Sequence, residues 1–212
     1  MSHFTPIEQA LEHFEKNKFL IVMDDESREN EGDLIIAAEQ MTEQDMAFLV
    51  RHSSGYVCAP MSNDTADRLD LPLMRTNMQY ESFDDDRHGT AYTITVDVAE
   101  GTTTGISAHD RTLTCNALAN PSSTAKSFLK PGHICPLRAV DGGVLKRRGH
   151  TEAAVDLCRL SNKQPVGVIC ELVNDRDGSM MRLDDCVKFS QQFSIPIITI
   201  DALVDYIKTS SK

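Results

Sequence analysis

The chain has 212 residues, of which 41% are hydrophobic, and a formal net charge of −11. That apolar share suffices for one domain with a sizeable core, expected here over 1–212. The acidic balance, with a pI near 5.0, argues against a nucleic-acid surface. Every apolar run is short and broken by charge, which excludes a membrane-spanning helix. A small phosphorylated ligand is not excluded, because a few local arginines can hold one phosphate. The N-terminus, Met-Ser-His-Phe-Thr-Pro, lacks the basic and apolar regions of a signal peptide, so a cytoplasmic protein is expected. Cys58, Cys115, Cys135, Cys158, Cys170 and Cys186 show neither Cys-x-x-Cys pairs nor zinc spacing, and read as reduced core residues.

In chain order, Thr5, Pro6 and Glu8 signal a first helix with Ile7, Ala10, Leu11 and Phe14 on its apolar face. The run 19–23 then reads as a buried strand, and 34–38 as a second. Between them lies Asp-Asp-Glu-Ser-Arg-Glu-Asn-Glu-Gly-Asp, residues 24–33, with six carboxylates and Arg28. Clustered carboxylates repel, and a fold tolerates them only where solvent or cations offset the charge. Hard oxygen ligands of this kind suit Mg²⁺ or Mn²⁺. An EF-hand is excluded, because with Gly32 at its sixth position the loop would start at Ser27 and end at Ala38.

Thr42 and Asp45 predict the start of a second helix, Gly55–Ala59 a strand, and Ser62–Leu69 a short helix. Residues 75–90 are polar and read as an excursion, either a lid or an exposed loop. Residues 91–98 alternate as a half-buried strand. The Thr/Gly-rich run 101–111 predicts a loop leading into a helix of about three turns. Such a loop can offer backbone N–H groups to an anion, although an ordinary turn has the same composition. Pro131–Leu137 predicts a turn entering a strand, and Gly142-Gly143 a tight turn.

Arg147, Arg148, Gly149, His150 and Thr151 precede another helix. Two arginines, a glycine, a hydroxyl and a helix N-terminus are the pieces of a phosphate site. His150 among them is a candidate metal ligand through a neutral ring nitrogen. Val166–Val173 reads as a central strand carrying one charge, Glu171, which is either salt-bridged or an acid/base group. Asp184 opens a helix, 196–200 is a last strand, and Asp201 caps the C-terminal helix. Helices and strands alternate, with breaks near 91–98 and 134–147. The expectation is therefore a mixed α/β (α+β) sheet with helices on both faces, a three-layer sandwich. By themselves these residues define an Mg²⁺-dependent isomerase, lyase or phosphatase for a small phosphorylated substrate, with groups such as His133 and Glu171 moving protons.

Six stretches together sharpen this. They are residues 24–33, 54–58, 103–111, 131–133, 147–153 and 170–172. In this order they resemble the signature of the 3,4-dihydroxy-2-butanone 4-phosphate synthase family of riboflavin biosynthesis. The resemblance implies a lyase that converts D-ribulose 5-phosphate to L-3,4-dihydroxy-2-butanone 4-phosphate and formate. It implies Mg²⁺ or Mn²⁺ as a pair of ions, with Glu29 and His150 as metal ligands. It assigns catalysis to His133 and Glu171. Arg28, Asp33, Cys58, Tyr92, Thr104 and Glu171 fall at substrate-contact positions, and Arg147, Arg148, Gly149, His150 and Thr151 form the phosphate cradle. It further implies a homodimer with sites near the subunit interface.

Ser27, Cys135, Arg148 and Val173 depart from the commonest bacterial pattern, which has Asp, Phe, Gly and Thr there. With these departures the chain resembles a monofunctional fungal member, and no fused GTP cyclohydrolase II half is expected. The competing readings are another Mg²⁺-dependent sugar-phosphate isomerase or aldolase, which would release no formate, and a non-catalytic ligand-binding relative.

Overall fold

The computed structural model describes residues 3–74 and 89–210. The expected lid or loop at 75–90 therefore lies almost entirely outside the described residues. The strands are β1 (Leu20–Met23), β2 (Gly32–Ala37), β3 (Cys58–Met61), β4 (Val96–Val98), β5 (Phe128–Arg138), β6 (Gly167–Glu171) and β7 (Ile197–Thr199). The helices are α1 (Ile7–Glu15), α2 (Glu43–Arg51), α3 (Asn63–Arg68), α4 (Ala108–Ala119), α5 (His150–Leu160), α6 (Leu183–Phe193) and α7 (Ile200–Ser210).

The strands form one sheet in the order β4-β5-β3-β6-β2-β1-β7. Pairs β1/β2, β2/β6, β3/β6 and β4/β5 are antiparallel, whereas β1/β7 and β3/β5 are parallel. The sheet is mixed, as expected. Its mixed character does not come from a missing helix between 91–98 and 134–147, because α4 separates β4 from β5.

Strand alternation divides the core into two layers. Ile21, Met23, Leu34, Ile36, Val168 and Cys170 pack with α2, α3, α4 and α6 on one face. Leu20, Val22, Ile35, Cys58 and Ile169 pack with α1, α5 and α7 on the other. The central strands are buried on both faces, which is why they read as unbroken apolar runs. All six cysteines are buried and unbridged.

Several local expectations shift for identifiable reasons. Thr5 does not cap α1. Its N–H donates to the Ile197 carbonyl beside β7, and Pro6 stands at the N-cap without a side-chain bond. The strand expected at Gly55 starts only at Cys58, because Gly55 has φ +76°. Residues 91–98 do not make one long strand. Tyr92 and Thr93 form isolated bridges to Leu137 and Leu73, and only 96–98 join the sheet as β4. Pro131 lies within β5, where a cis Lys130–Pro131 bond stands inside the strand. Val144 and Leu145 lie in a short 3₁₀ turn. α6 starts one residue before Asp184. Asp201 lies inside α7, while Thr199 Oγ1 accepts from the Ala202 N–H (3.1 Å). The helix start expected at Thr42 and Asp45 forms with a capping box, and the short helix expected from Ser62 forms with Ser62 as its cap; Ser107 caps α4.

Two glycines separate conformational from steric need. A Cβ on Gly132 would overlap the Val96 and Asp97 backbone, whereas one on Gly55 would meet nothing within 4 Å. Gly132→Ala should cost about 3 kcal/mol or more through forced separation of β4 and β5. Gly55→Ala should cost about 1 kcal/mol, from its positive φ alone. Urea midpoints at unchanged slope check this, and equal losses would contradict it.

Candidate active site

The ends of three central strands place the charged groups. Asp33 pairs with Val22 of β1 on one side and with Glu171 of β6 on the other. By alternation all three side chains face the layer of α5, and Cys58 lies two strand positions down the same face, paired to Ile169. The acidic loop closes over this point. Its organiser is Asp24, whose carboxylate accepts from the Glu31 N–H (2.8 Å), the Glu29 N–H (3.2 Å) and Arg28 Nη1 (2.9 Å). Arg28 also donates to Glu29 Oε2 (2.5 Å), and Asn30 takes φ +55° to make the turn.

α5 brings the second half. Gly149 is its N-cap, and a Cβ there would crowd the Arg147 guanidinium and Glu152. Arg147 is anchored by the buried Glu152 (2.5 Å) and donates to Thr90 Oγ1 (3.0 Å). Thr151 and His150 occupy the first turn, where unpaired N–H groups and the helix dipole favour an anion.

His150 is buried, and its Nε2 donates to the Val22 carbonyl (3.0 Å), which can only accept. The proton is thereby fixed on Nε2. Nδ1 is turned to Glu29 and Asp33, 3.8 Å from each. Burial is the largest cause of its lowered pKa, so the ring is neutral with a lone pair aimed at carboxylates. That is the form in which an imidazole ligates a metal.

Asp33 completes the electrostatic picture. Burial first, then Glu171, Glu29 and Glu31, raise its pKa well above the carboxylate range. Its Oδ1 is buried and has no hydrogen-bond partner among the described residues. Ligand atoms of Asp24, Glu29 and His150 lie within 4.8 Å of one another. An orphaned oxygen, mutually repelling carboxylates and an imidazole lone pair together fit a divalent cation. Asp24 is already engaged by three donors and shapes the loop, which leaves Glu29 and His150 as the stronger ligand candidates.

Glu29, Asp33 and His150 line a cavity of about 100 Å³, together with Arg28, Glu31, Cys58, Thr90, Tyr92, Leu137, Arg147, Thr151, Ile169 and Glu171. Glu171 Oε2 accepts from Ser54 Oγ (2.5 Å), so the charge inside β6 is hydrogen-bonded and makes no salt bridge among the described residues. Burial pushes the Tyr92 hydroxyl up to about 12. The Cys58 thiol is raised chiefly by its hydrogen bond to Cys135, and remains protonated.

Of the residues singled out in the sequence, Arg28, Glu29, Asp33, Cys58, Tyr92, Arg147, His150, Thr151 and Glu171 meet in this cavity. Four do not line it. Arg148 turns away to Asp201 (2.6 Å), and Gly149 supports the cap from behind. His133 and the exposed Thr104 lie together in a separate group around Asp97 and Gly105. Asp24, Glu31 and Thr90 were not singled out individually. Asp24 and Glu31 carried a signal within the acidic run, while Thr90 carried none.

The fold and site define a class: an α/β protein that sets a carboxylate–imidazole cation site beside an anion-binding helix terminus. The model of the family described as 3,4-dihydroxy-2-butanone 4-phosphate synthase matches residues 8–206. The chain belongs to that family. It is 72% identical over 206 residues to the 3,4-dihydroxy-2-butanone 4-phosphate synthase of Saccharomyces cerevisiae, covering 97% of this chain and 99% of the relative. It is 64% identical to that of Candida albicans, over 96% and 97% of the two chains. A solved synthase in complex with two magnesium ions superposes with a TM-score of 0.92 at 46% identity, over 98% of this chain and 99% of the other.

The cation site makes a binding prediction. Mg²⁺ at about 100 times its dissociation constant should stabilise the folded chain by about 2.7 kcal/mol. Glu29→Gln should abolish most of that increment while the metal-free melting transition stays cooperative. An undiminished Mg²⁺ increment in the variant would remove Glu29 from the ligand set.

Proposed function

We propose that the chain converts D-ribulose 5-phosphate to L-3,4-dihydroxy-2-butanone 4-phosphate and formate, as a lyase of riboflavin biosynthesis. One observation carries the assignment of the site: residues from the acidic loop, β3, β6 and the start of α5 converge on one cavity. The family match over 8–206 and the single seven-stranded sheet support reading 1–212 as one synthase domain.

In this reading Glu29 and His150 hold the cation, with Mn²⁺ as the alternative to Mg²⁺ and two ions per site. A bound divalent cation supplies Lewis-acid polarisation of the sugar oxygens and neutralises the developing negative charge. The chain's own residues do the rest. Arg147, with the N–H groups of His150 and Thr151, holds the phosphate, while Arg148, paired with Asp201 outside the cavity, takes no part in the cradle. Arg28 and Asp33 orient the sugar hydroxyls, while Cys58, Tyr92 and Thr104 shape the walls. His133 and Glu171 move protons as the second and third carbons enolise and the hydroxyl of the first carbon leaves as water. A skeletal shift then joins the third and fifth carbons. Water hydrates the fourth carbon, which leaves as formate, so water lost and water gained balance.

The working form in this reading is a homodimer. His133 and Thr104 do not line the cavity of their own chain, and two exposed apolar residues, Ile106 and Leu129, stand near them in sequence. A second copy docked there would cover apolar surface and complete each site. The acidic surface favours no nucleic-acid partner, and no helix among the described residues is long and apolar enough to cross a membrane. Sedimentation at micromolar concentration should give about twice the chain mass; a monomer with full activity would remove the shared site.

The decisive assay incubates the protein with D-ribulose 5-phosphate and Mg²⁺, or with EDTA, and measures formate. Formate should appear only with metal. His133→Ser should retain binding and lose turnover by at least about 100-fold. Substrate loss without formate would instead indicate an isomerase or aldolase, and no consumption by a folded dimer a non-catalytic relative.

A further inference from the structure

We infer that Arg182 is a positioning residue that holds the acidic loop from outside and so fixes the place of Glu29. Its consequence for metal affinity rests on reading Glu29 as a cation ligand; the hold itself rests on geometry alone.

Arg182 Nη1 donates to the carbonyl of Glu29 (2.8 Å) and to that of Asn30. Both carbonyls stand at the turn of the loop, where Asn30 is left-handed with φ +55°. A residue other than glycine keeps that conformation only where its surroundings hold it. Asp24 holds the inner side, accepting from the Glu29 N–H (3.2 Å) and the Glu31 N–H (2.8 Å). The backbone of Glu29 is thus fixed at both ends, its N–H by Asp24 and its carbonyl by Arg182. Its side chain starts from a set point beside His150.

Arg182 is otherwise poorly suited to its position. It is the N-cap of α6, where an oxygen that accepts from the first turn is favoured. A guanidinium only donates, and no side-chain cap bond forms. Its charge also opposes the helix dipole at that end, and Asp184 and Asp185 in the first turn offset this. A residue that breaks local rules in this way serves something beyond its own helix.

The neighbouring backbone delivers it to the loop. After β6 the chain turns back on itself: Val173 bridges Met180, and the Asn174 N–H donates to the Ser179 carbonyl (2.8 Å). Leu172 donates to the Gly32 carbonyl (2.8 Å) and accepts from the Met181 N–H (3.0 Å). The end of the loop, the exit from β6 and the returning segment therefore lie side by side, and Arg182 follows at once. Its own carbonyl accepts from the Asp185 and Cys186 N–H groups (2.9 Å each). Gly32 permits the close packing, because a Cβ there would overlap Cys186 Sγ and Met23 Sδ.

The sign of the effect separates positioning from charge. Burial raises the Glu31 pKa, and the Arg182 charge draws it back, so the guanidinium is felt among the carboxylates. If only charge mattered, removing Arg182 would strengthen the binding of a divalent cation. If Arg182 positions Glu29, removing it weakens that binding.

The test uses Arg182→Met, which keeps an apolar stem and removes donors and charge. In the full-length protein, Mn²⁺ followed by electron paramagnetic resonance should bind about 10-fold more weakly. Arg182→Lys should fall between Arg182→Met and the wild type. In the metal-free protein the Glu29 and Glu31 N–H groups should exchange with solvent at least about 10-fold faster, while melting stays cooperative. Added to Glu29→Gln, Arg182→Met should weaken Mn²⁺ binding by no more than about twofold further. Unchanged exchange would overturn the hold on the loop. Equal or tighter Mn²⁺ binding, beside a Glu29→Gln that has lost affinity, would overturn the action through Glu29, as would a full 10-fold further loss in the double variant. Undiminished affinity in Glu29→Gln would defeat the ligand reading of Glu29, and the exchange rates would still decide the hold. Should Arg182→Met not fold, the shorter, uncharged Arg182→Gln must show the same two changes, and wild-type exchange and affinity there would overturn the inference equally.

Discussion

Asp33 and Glu171 face each other across adjacent central strands, and their repulsion is the constraint around which the site is arranged. At this end of the sheet the β-ladder brings carboxylates together whatever their charge, because register is fixed by the apolar residues further along β2 and β6. Asp33 responds with a strongly raised pKa, and Glu171 takes a hydrogen bond from Ser54. Glu29 and Glu31 arrive on the loop and add to the charge. A fold that spends stability on such a cluster has placed it where a cation can offset it. His150, neutral and pinned through Val22, supplies a ligand atom without adding charge.

The loop that delivers Glu29 is held by its own chemistry. Asp24 stands at the end of β1 with its side chain fully buried and gathers two backbone N–H groups and a guanidinium. It therefore acts as the local template on which the other acids of 24–33 are spread. Arg28 bridges Asp24 and Glu29, so one cation inside the loop already offsets part of the charge before any ligand arrives. The division of labour is clear within ten residues: Asp24 builds the loop, Glu29, Glu31 and Asp33 face the cavity, and Asp25 and Glu26 stay exposed.

Much of this was legible in the sequence. The apolar runs at 19–23 and 34–38, the helix starts at Thr42 and Ser62, and the Arg-Arg-Gly-His-Thr approach to α5 are local patterns, and local physics decided them. What the sequence hid was set by distant partners. Residues 91–98 alternate as one strand should, yet Tyr92 and Thr93 pair with Leu137 and Leu73 and leave only three residues to the sheet. Thr5 reads as a cap, but its N–H is taken by Ile197. Asp97 reads as an ordinary outward position of a strand, and its bond to His133 depends on a register shift that no single-chain periodicity reveals. Arg148 looks like the twin of Arg147, and only the location of Asp201 on α7 separates them.

The opening turn of α5 joins two tasks in consecutive residues. His150 turns its ring nitrogen toward the carboxylates, while the N–H groups around it face the place suited to a phosphate. A helical turn packed on both β2 and β6 flexes little, so the span between these two points is fixed by peptide geometry. The site thereby becomes a gauge of length. A ligand that reaches both ends must carry its oxygen atoms and its phosphate at one set separation, and a backbone one carbon shorter or longer meets one end and misses the other.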